Sequence, residues 1–371
     1  MQVAMYAPLK PPDHPAPSGD RQMARLLMTA MRAAGHEVAL VSRLRSYSAS
    51  PLAEALGELE AKANLEAQRI EKSWQAGRAP DLWLTYHPYY KAPDLLGPPL
   101  CARHAVPYVT AEASYSSRRD RDAWAPYQAH VAAAIRRAAL NICFTQRDRD
   151  GLSHLVAARR LAQLPPFIDT EPFAAEPQSG ASPTARLITV AMLRKGDKLR
   201  SFRMLAEALE LLLDLRWQLT IIGGGAARDE VRAMFKGLGT ERVVWLGELA
   251  PESVAQPLYG ADLYVWPGCG EAYGLAYLEA QAAGLPVIAQ ETAGVPEVVR
   301  SGTTGLLTRE GDVGQYAQAI RRLIVDADRR RRMARAARAF VCNERSLAQA
   351  TARLGTLLLG VVEQKSEAAR G

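Results

Sequence analysis

Two glutamates, Glu271 and Glu279, stand with seven residues between them in the stretch WPGCGEAYGLAYLEAQAAG, residues 266–284. The apolar residues ending at Trp266 read as a strand. A Pro/Gly-rich turn follows, and a helix is expected to begin near Tyr273 or Gly274. A helix start carries unpaired N–H groups and about half a positive charge, so it receives phosphate well. Gly274 has no side chain to obstruct an approaching anion. Glu279 lies about five residues further on, roughly 7–8 Å along the helix axis, a span that matches the reach from a diphosphate to the ribose hydroxyls of a nucleotide. Glu271, just before the helix, offers a carboxylate to the hydroxyls of a sugar. A lone glutamate on a helix is ordinarily a solvated residue; the pair around Gly274 and Leu275 at a strand-to-helix junction is the informative feature.

Other loops carry related signals. Gly223, Gly224 and Gly225 end the apolar run TIIGGG, but Ala226, Ala227 and Arg228 follow. The third spaced glycine of a dinucleotide fingerprint is therefore missing, which argues against a dehydrogenase. Near the amino terminus, Ser18, Gly19 and Asp20 precede an apolar-periodic run, so a flexible turn sits at another helix start; Ser18 or Asp20 is equally well a plain helix cap. His87, in TYHPYYKAPDLLGP, lies among Tyr and Lys residues that suit a contact with an acceptor, although local satisfaction at a strand end is the simpler reading.

The elements that must position these residues alternate along the chain. Short apolar runs at 3–6, 37–41, 82–86, 107–110, 140–144 and 161–164 read as strands, and a second series follows at 186–191, 218–222, 243–246, 263–266 and 286–289. Helical patterns lie between them, as in βαβ units with a parallel sheet. The stripe of Leu52, Leu56, Leu59, Ala63, Ala67, Ile70 and Trp74 gives one helix a face for core packing. Residues 164–184 hold five prolines and read as a linker outside any sheet. From 312 to about 363 the pattern is wholly helical. The expected organisation is α/β: a Rossmann-like, doubly wound domain at 1–165, a linker at 166–185, a second Rossmann-like domain at 186–341, and a helix at 342–371. Two such domains would place a ligand cleft between the carboxyl ends of two sheets.

Composition narrows the class. Of 371 residues, 48% are hydrophobic and 23% charged, which excludes a mainly disordered chain. No apolar run reaches the ~20 residues of a membrane span, and no signal peptide is expected. Cys101, Cys143, Cys269 and Cys342 are scattered and read as isolated reduced thiols, without a zinc site or a disulfide framework. A cytoplasmic location is expected. Net charge is +7, and residues 1–165, with 21 basic against 15 acidic side chains, hold +6 of it. That excess favours an anionic partner: a phosphorylated acceptor, an anionic membrane surface or nucleic acid. Arg118, Arg119, Arg121, Arg136 and Arg137 would suit a peripheral contact on the inner face of a membrane, although a solvated face is the simpler reading.

On these residues the sequence resembles the retaining glycosyltransferases of family 4, whose mark is Glu-x7-Glu within E-x-x-G-L-x-x-x-E-A-x-A-x-G-x-P-V. Glu271, Gly274, Leu275, Glu279, Ala280, Ala282, Gly284, Pro286 and Val287 follow that order. Residues 293–308 resemble a second family segment, and the likeness extends over 186–341. The resemblance implies the GT-B fold of two facing Rossmann-like domains: 1–165 on the acceptor side, 186–341 binding the nucleotide sugar, and the helix at 342–371 packing back toward the first. It implies Glu279 on the ribose, backbone amides of Tyr273, Gly274 and Leu275 on the β-phosphate, and Glu271 on the transferred sugar. Gly223 and Gly224 match the phosphate-side loop, and Leu246 and Gly247 the base-side loop. The family's G-R-L-x-x-x-K-G is here AMLRKGDK, with Met192 in place of the first arginine; Arg194 and Lys198 are the substitutes, with Lys195 an outsider. Gly19 matches the loop that approaches donor phosphate and acceptor. Ser18 and His87 are the acceptor-side candidates. Glu112 stands where relatives often place a histidine, and its carboxylate would steady positive charge at the anomeric carbon.

The expected activity is transfer of a sugar from a nucleotide-diphosphate donor to a glycan, lipid-linked or small-molecule acceptor, with retention. No cofactor is expected beyond the nucleotide sugar as co-substrate. No metal is expected, since no DxD-like pair stands where one would be needed. A sugar-nucleotide epimerase of the same fold is the alternative enzyme. A non-catalytic nucleotide-sugar- or nucleic-acid-binding protein is the third reading, although no nucleic-acid motif is present and no nucleic-acid partner is expected.

Overall fold

The computed structural model describes residues 1–175 and 182–368, apart from the side chain of Ala368. The chain divides into two compact units, Met1–Pro165 with Leu347–Gly371, and Pro166–Ser346.

In the first unit β1 (Gln2–Tyr6), α1 (Gly19–Ala33), β2 (Glu37–Leu40), α2 (Ala53–Ala76), β3 (Leu82–Tyr86) and α3 (Gly97–Arg103) are followed by β4 (Tyr108–Ala111), α4 (Ala125–Arg137), β5 (Leu140–Cys143), α5 (Gln146–Ser153) and β6 (Leu161–Gln163). The six strands pair in parallel in the order β2-β1-β3-β4-β5-β6. β3, LWLTY, is buried at every position, as a strand covered by helices on both faces must be. In α2, Leu56, Ala63, Ala67 and Ile70 face the core. Leu52 does not: it is 62% exposed, because it is the extended N-cap residue and lies outside the helical spiral that aligns the stripe.

A buried carboxylate ties the middle of this sheet together. Asp94 accepts hydrogen bonds from Thr85 Oγ1, Tyr108 Oη and the amides of Leu96 and Gly97, so it joins β3, β4 and the start of α3. Burial pushes its carboxyl up, while these donors pull it back down. Gly97 leaves no room for a Cβ beside Asp94 and Trp83.

The second unit runs through β7 (Ala185–Val190), α6 (Asp197–Glu210), β8 (Trp217–Ile222), α7 (Arg228–Met234), β9 (Val243–Gly247), α8 (Ala255–Tyr259) and β10 (Leu263–Val265). It continues with α9 (Leu275–Ala282), β11 (Val287–Gln290), α10 (Val295–Val298), β12 (Gly305–Thr308), α11 (Val313–Val325) and α12 (Ala327–Glu344). Its parallel sheet has the order β12-β11-β10-β7-β8-β9. β12 has no counterpart in the sequence-based strand series. Its four residues, GLLT, lack alternation, and Gly305 is there because a Cβ would strike the Val287 carbonyl.

The expected helical tail consists of three helices. Asp326 closes α11 and caps α12, and after Ser346 the chain enters α13 (Leu347–Ala368), which belongs to the first unit and packs on α1. Of the proline-rich stretch, Phe167, Ile168 and Phe173 are buried, and Ile168 makes a single bridge to Ser346. The remainder of the stretch at 176–181 lies outside the described residues. Among the described residues no helix is long and apolar enough to cross a membrane.

Asp94→Ala strips one acceptor from four buried donors. At about 1–3 kcal/mol for each unsatisfied buried group, urea unfolding of the intact chain should show a loss of about 3 kcal/mol or more, with Asp94→Asn intermediate.

Candidate functional site

In a doubly wound sheet, ligands bind outside the carboxyl ends of strands where the winding reverses. In the second unit that point lies between β7 and β10. The loop after β7 carries Arg194, the first turn of α6 carries Lys198, and the loop after β10 carries Glu271. The structure joins them: Lys198 Nζ lies 2.5 Å from Glu271 Oε2, with both side chains about a quarter exposed or less. Lys198 also sits 5.4 Å from the centre of the Trp266 ring. Arg194 is exposed and Glu279 half-buried.

The loop that presents Glu271 is over-determined. Gly268, Gly270 and Gly274 all adopt φ between 65° and 80°, where an L side chain is disfavoured. A Cβ at Gly268 or Gly274 would run into Tyr277, and one at Gly270 into Asp197. Tyr277 donates to the Trp266 carbonyl, Ser201 Oγ accepts from the Cys269 amide, and the buried Gln290 side chain donates to the Pro267 carbonyl. α9 begins at Leu275, with Gly274 as its N-cap and no side chain closing its amides. Tyr273 and Leu275 are buried. Asp197, Ser201, Tyr277 and Gln290 were not among the sequence candidates. They act on the loop from other elements, and no spacing in the sequence signals that.

Gly223 and Gly224 have a second duty. Side chains there would strike the Ala191 carbonyl and Glu248 respectively, and the Leu193 amide donates to the Gly224 carbonyl at 2.9 Å. The glycine run is thus a packing surface for the loop that carries Arg194. Between β8 and β9 the register slips, Ile221 facing Trp245 and Ile222 facing Gly247. Leu246 is the extra residue, 42% exposed, and Gly247 turns at φ 74°. Bulges of this kind re-aim side chains at strand ends.

In the first unit the winding reverses between β1 and β3, and a cluster of titratable groups gathers at those carboxyl ends. His87 follows β3, Glu112 follows β4, Asp20 opens α1 and Asp148 opens α5. His87 Nδ1 lies 3.2 Å from Asp20 Oδ1 and 4.0 Å from Glu112 Oε1. His87 and Glu112 are non-glycine residues at φ 56° and 54°, each a conformation that costs ~1–3 kcal/mol and concentrates at functional sites. Each still continues the ladder, His87 N–H to the Ala111 carbonyl and Glu112 N–H to that of Ile142.

Burial opposes the charged imidazole of His87, but the carboxylates of Glu112, Asp20 and Asp148 outweigh it and raise its pKa to about 9. Burial pushes the Glu112 carboxyl up to about 7; Asp148 and Asp20 add to this, and His87 and the Tyr86 hydroxyl resist it. Asp20, despite burial, is held below the usual carboxylate range by His87 and Lys10. Ser18 is the N-cap of α1, accepting from the Arg21 amide, and Gly19 begins the helix with open space at its Cβ position. Asp148 was missed in the sequence, although Thr145 and Asp148 have capping-box spacing, and the box is formed.

Both units therefore bring polar groups to the carboxyl ends of six-stranded parallel sheets, and comparison with known proteins places them. Residues 184–326 match the family described as Glycosyl transferases group 1. The chain is similar over 98% of its length to sucrose-phosphate synthase from Thermosynechococcus elongatus (TM-score 0.75, 20% identity, all of that chain covered). It is also similar, over 97%, to the Anabaena protein HepE in complex with UDP (TM-score 0.72, 17% identity, all of that chain covered). The fold is that of the GT-B glycosyltransferases, and the match to Glycosyl transferases group 1 falls within the second unit. In sequence the chain is 41% identical over 113 residues to a D-inositol 3-phosphate glycosyltransferase of Nocardia farcinica, covering 30% of this chain and 25% of that protein. It is 30% identical over 226 residues to a GDP-mannose-dependent phosphatidylinositol monomannoside mannosyltransferase of Mycobacterium tuberculosis, covering 55% and 57%. The chain spans from a quarter to somewhat over half the length of these curated relatives.

Folded, Glu112 keeps its proton to about pH 7 against an ordinary 4.5, and His87 to about pH 9 against 6.5. The folded chain thus holds more protons than the unfolded one between about pH 4.5 and 9, and stability from this cluster falls as pH rises through that window. Denaturant unfolding at successive pH values should show the decline. Glu112→Gln should flatten it over both parts of the range, because the two groups titrate as a coupled pair.

Proposed function

We propose that this protein is a glycosyltransferase that moves a sugar from a nucleotide-diphosphate donor to a hydroxyl acceptor with retention of configuration. The observation that carries this reading is the Lys198–Glu271 pair at the uncapped start of α9. A diphosphate at that helix end meets open amides and the positive end of the helix dipole. Lys198 and Arg194 add mobile positive charge to the leaving group as the glycosidic bond breaks. Glu271 has two tasks: it holds Lys198 in place when the donor is absent and accepts from the hydroxyls of the transferred sugar when it is present. Glu279, further along α9, takes the ribose hydroxyls. Gly223 and Gly224 border the phosphates, and Leu246 and Gly247 border the base.

The first unit is assigned to the acceptor side, with Gly19 and Ser18 at the start of α1. His87, charged at neutral pH, and Glu112 are a donor and an acceptor for substrate hydroxyls. The activities of the relatives, one of them GDP-mannose-dependent, support a nucleotide-sugar donor. They also favour an acceptor in the class of polyol phosphates and lipid-linked glycans, which the basic first unit suits electrostatically. The same charge suits peripheral attachment to an anionic membrane.

Turnover screened across UDP-, GDP- and ADP-sugars, with the radiolabel followed into a new glycoside, tests the reading; label recovered only as an epimerised nucleotide sugar would contradict it. Glu271→Gln should reduce kcat more than donor affinity. Glu279→Ala should instead weaken nucleotide binding about tenfold or more, the worth of a charge-assisted hydrogen bond. Because the positive charge for the leaving group comes from α9, Arg194 and Lys198, turnover should persist in excess chelator. Loss of turnover that Mg²⁺ restores would overturn that part.

A further inference from the structure

The second unit contains a cavity of about 550 Å³ that the proposed transfer does not use. It lies at the opposite edge of the sheet from Glu271, where Arg186 enters β7, Asp262 precedes β10, and Gly284 and Leu285 lead into β11. α9 separates the two places, its amino end at the candidate donor site and its carboxyl end at the cavity. One wall is α12, which contributes Arg330, Arg331, Arg335 and Arg338.

We propose that this cavity is a binding site for a phosphorylated small molecule about the size of a hexose phosphate. The volume falls in the ~300–1,000 Å³ range of small-molecule sites. The charge is partly compensated: Arg186 is paired with Asp262 at 2.9 Å and Arg331 with Asp328, while among the described residues Arg330 and Arg338 donate to neutral carbonyls. Arg330 reaches Leu323 and Ile324; Arg338 reaches Ala282, Phe173 and Ala174. Arg335 is exposed at the rim. Several arginines lining one space suit the oxygens of a phosphate dianion.

A second, independent feature points the same way. Tyr259 lines the cavity and is only 7% exposed, and its buried hydroxyl has no hydrogen-bond partner among the described residues. Buried hydroxyls are ordinarily satisfied, and a ligand oxygen would satisfy this one. Cys342 also lines the cavity and is exposed, so it reports occupancy. Cys269, in the candidate donor loop, reports the other site.

The test uses the intact chain with glucose 6-phosphate and fructose 1,6-bisphosphate as probes and glucose as the uncharged control. Binding is followed by titration calorimetry, and iodoacetamide labelling is mapped by peptide mass spectrometry. At least one phosphorylated probe should bind and slow labelling of Cys342 severalfold while leaving Cys269 unchanged. Arg335→Ala should weaken binding about tenfold. Tyr259→Phe, which keeps the ring, should weaken it severalfold. The proposal is overturned by the absence of binding at millimolar concentration, by equal binding of glucose, by unchanged affinity in Arg335→Ala, or by protection of Cys269 instead of Cys342. None of these readouts depends on glycosyl transfer, so the outcome is separable from that of the proposed function.

Discussion

The second unit is organised around the amino end of one short helix. α9 starts without a side-chain cap, so no N-cap side chain offsets the positive end of its dipole. An uncapped start is tolerable only if the preceding loop does not collapse onto it. That loop is held away by three glycines with positive φ and by Tyr277, which is wedged beneath Gly268 and Gly274. The Lys198–Glu271 pair then sits at the open end with its charges balanced in the absence of ligand. Moving the helix start by one residue would misplace the amides, Glu271 and Glu279 together.

The first unit solves a related problem with different groups. Its cluster gathers at the β1/β3 reversal, where chain segments leave toward opposite faces of the sheet and open a space between them. No glycine provides the sharp turns after β3 and β4. His87 and Glu112 take them at positive φ, and the backbone strain is compensated by ladder hydrogen bonds to Ala111 and Ile142 and by the attraction between imidazolium and carboxylates. Asp94, which ties β3, β4 and α3 together, supplies the rigid base on which those strand ends can be held.

Buried polar groups do comparable work in both units. Gln290, Ser201 and Asp94 are each held by several hydrogen bonds with little exposure. In a low-dielectric interior such groups are costly unless satisfied, so they specify one loop geometry over its alternatives. The unsatisfied hydroxyl of Tyr259 is the contrast: it stands in a cavity where nothing described in the chain answers it.

The α/β alternation, eleven of the twelve strands and the glutamate pair around Gly274 were legible in the sequence, because each is a local pattern: an apolar period, a glycine at a turn, a fixed spacing. β12 escaped because four residues at a sheet edge carry too little periodicity. The apolar spacing of α2 also placed Leu52 in the core, whereas the helix starts one residue later and leaves it exposed. The partnerships were decided elsewhere. Lys198 meets Glu271 across 73 positions and His87 meets Asp20 across 67, because parallel strands distant in sequence become neighbours where the winding reverses. The return of the last helix to α1 is of the same kind. Local propensity sets what each segment becomes. Which side chains share a charge or exclude water depends on strand order, and strand order is a property of the folded sheet alone.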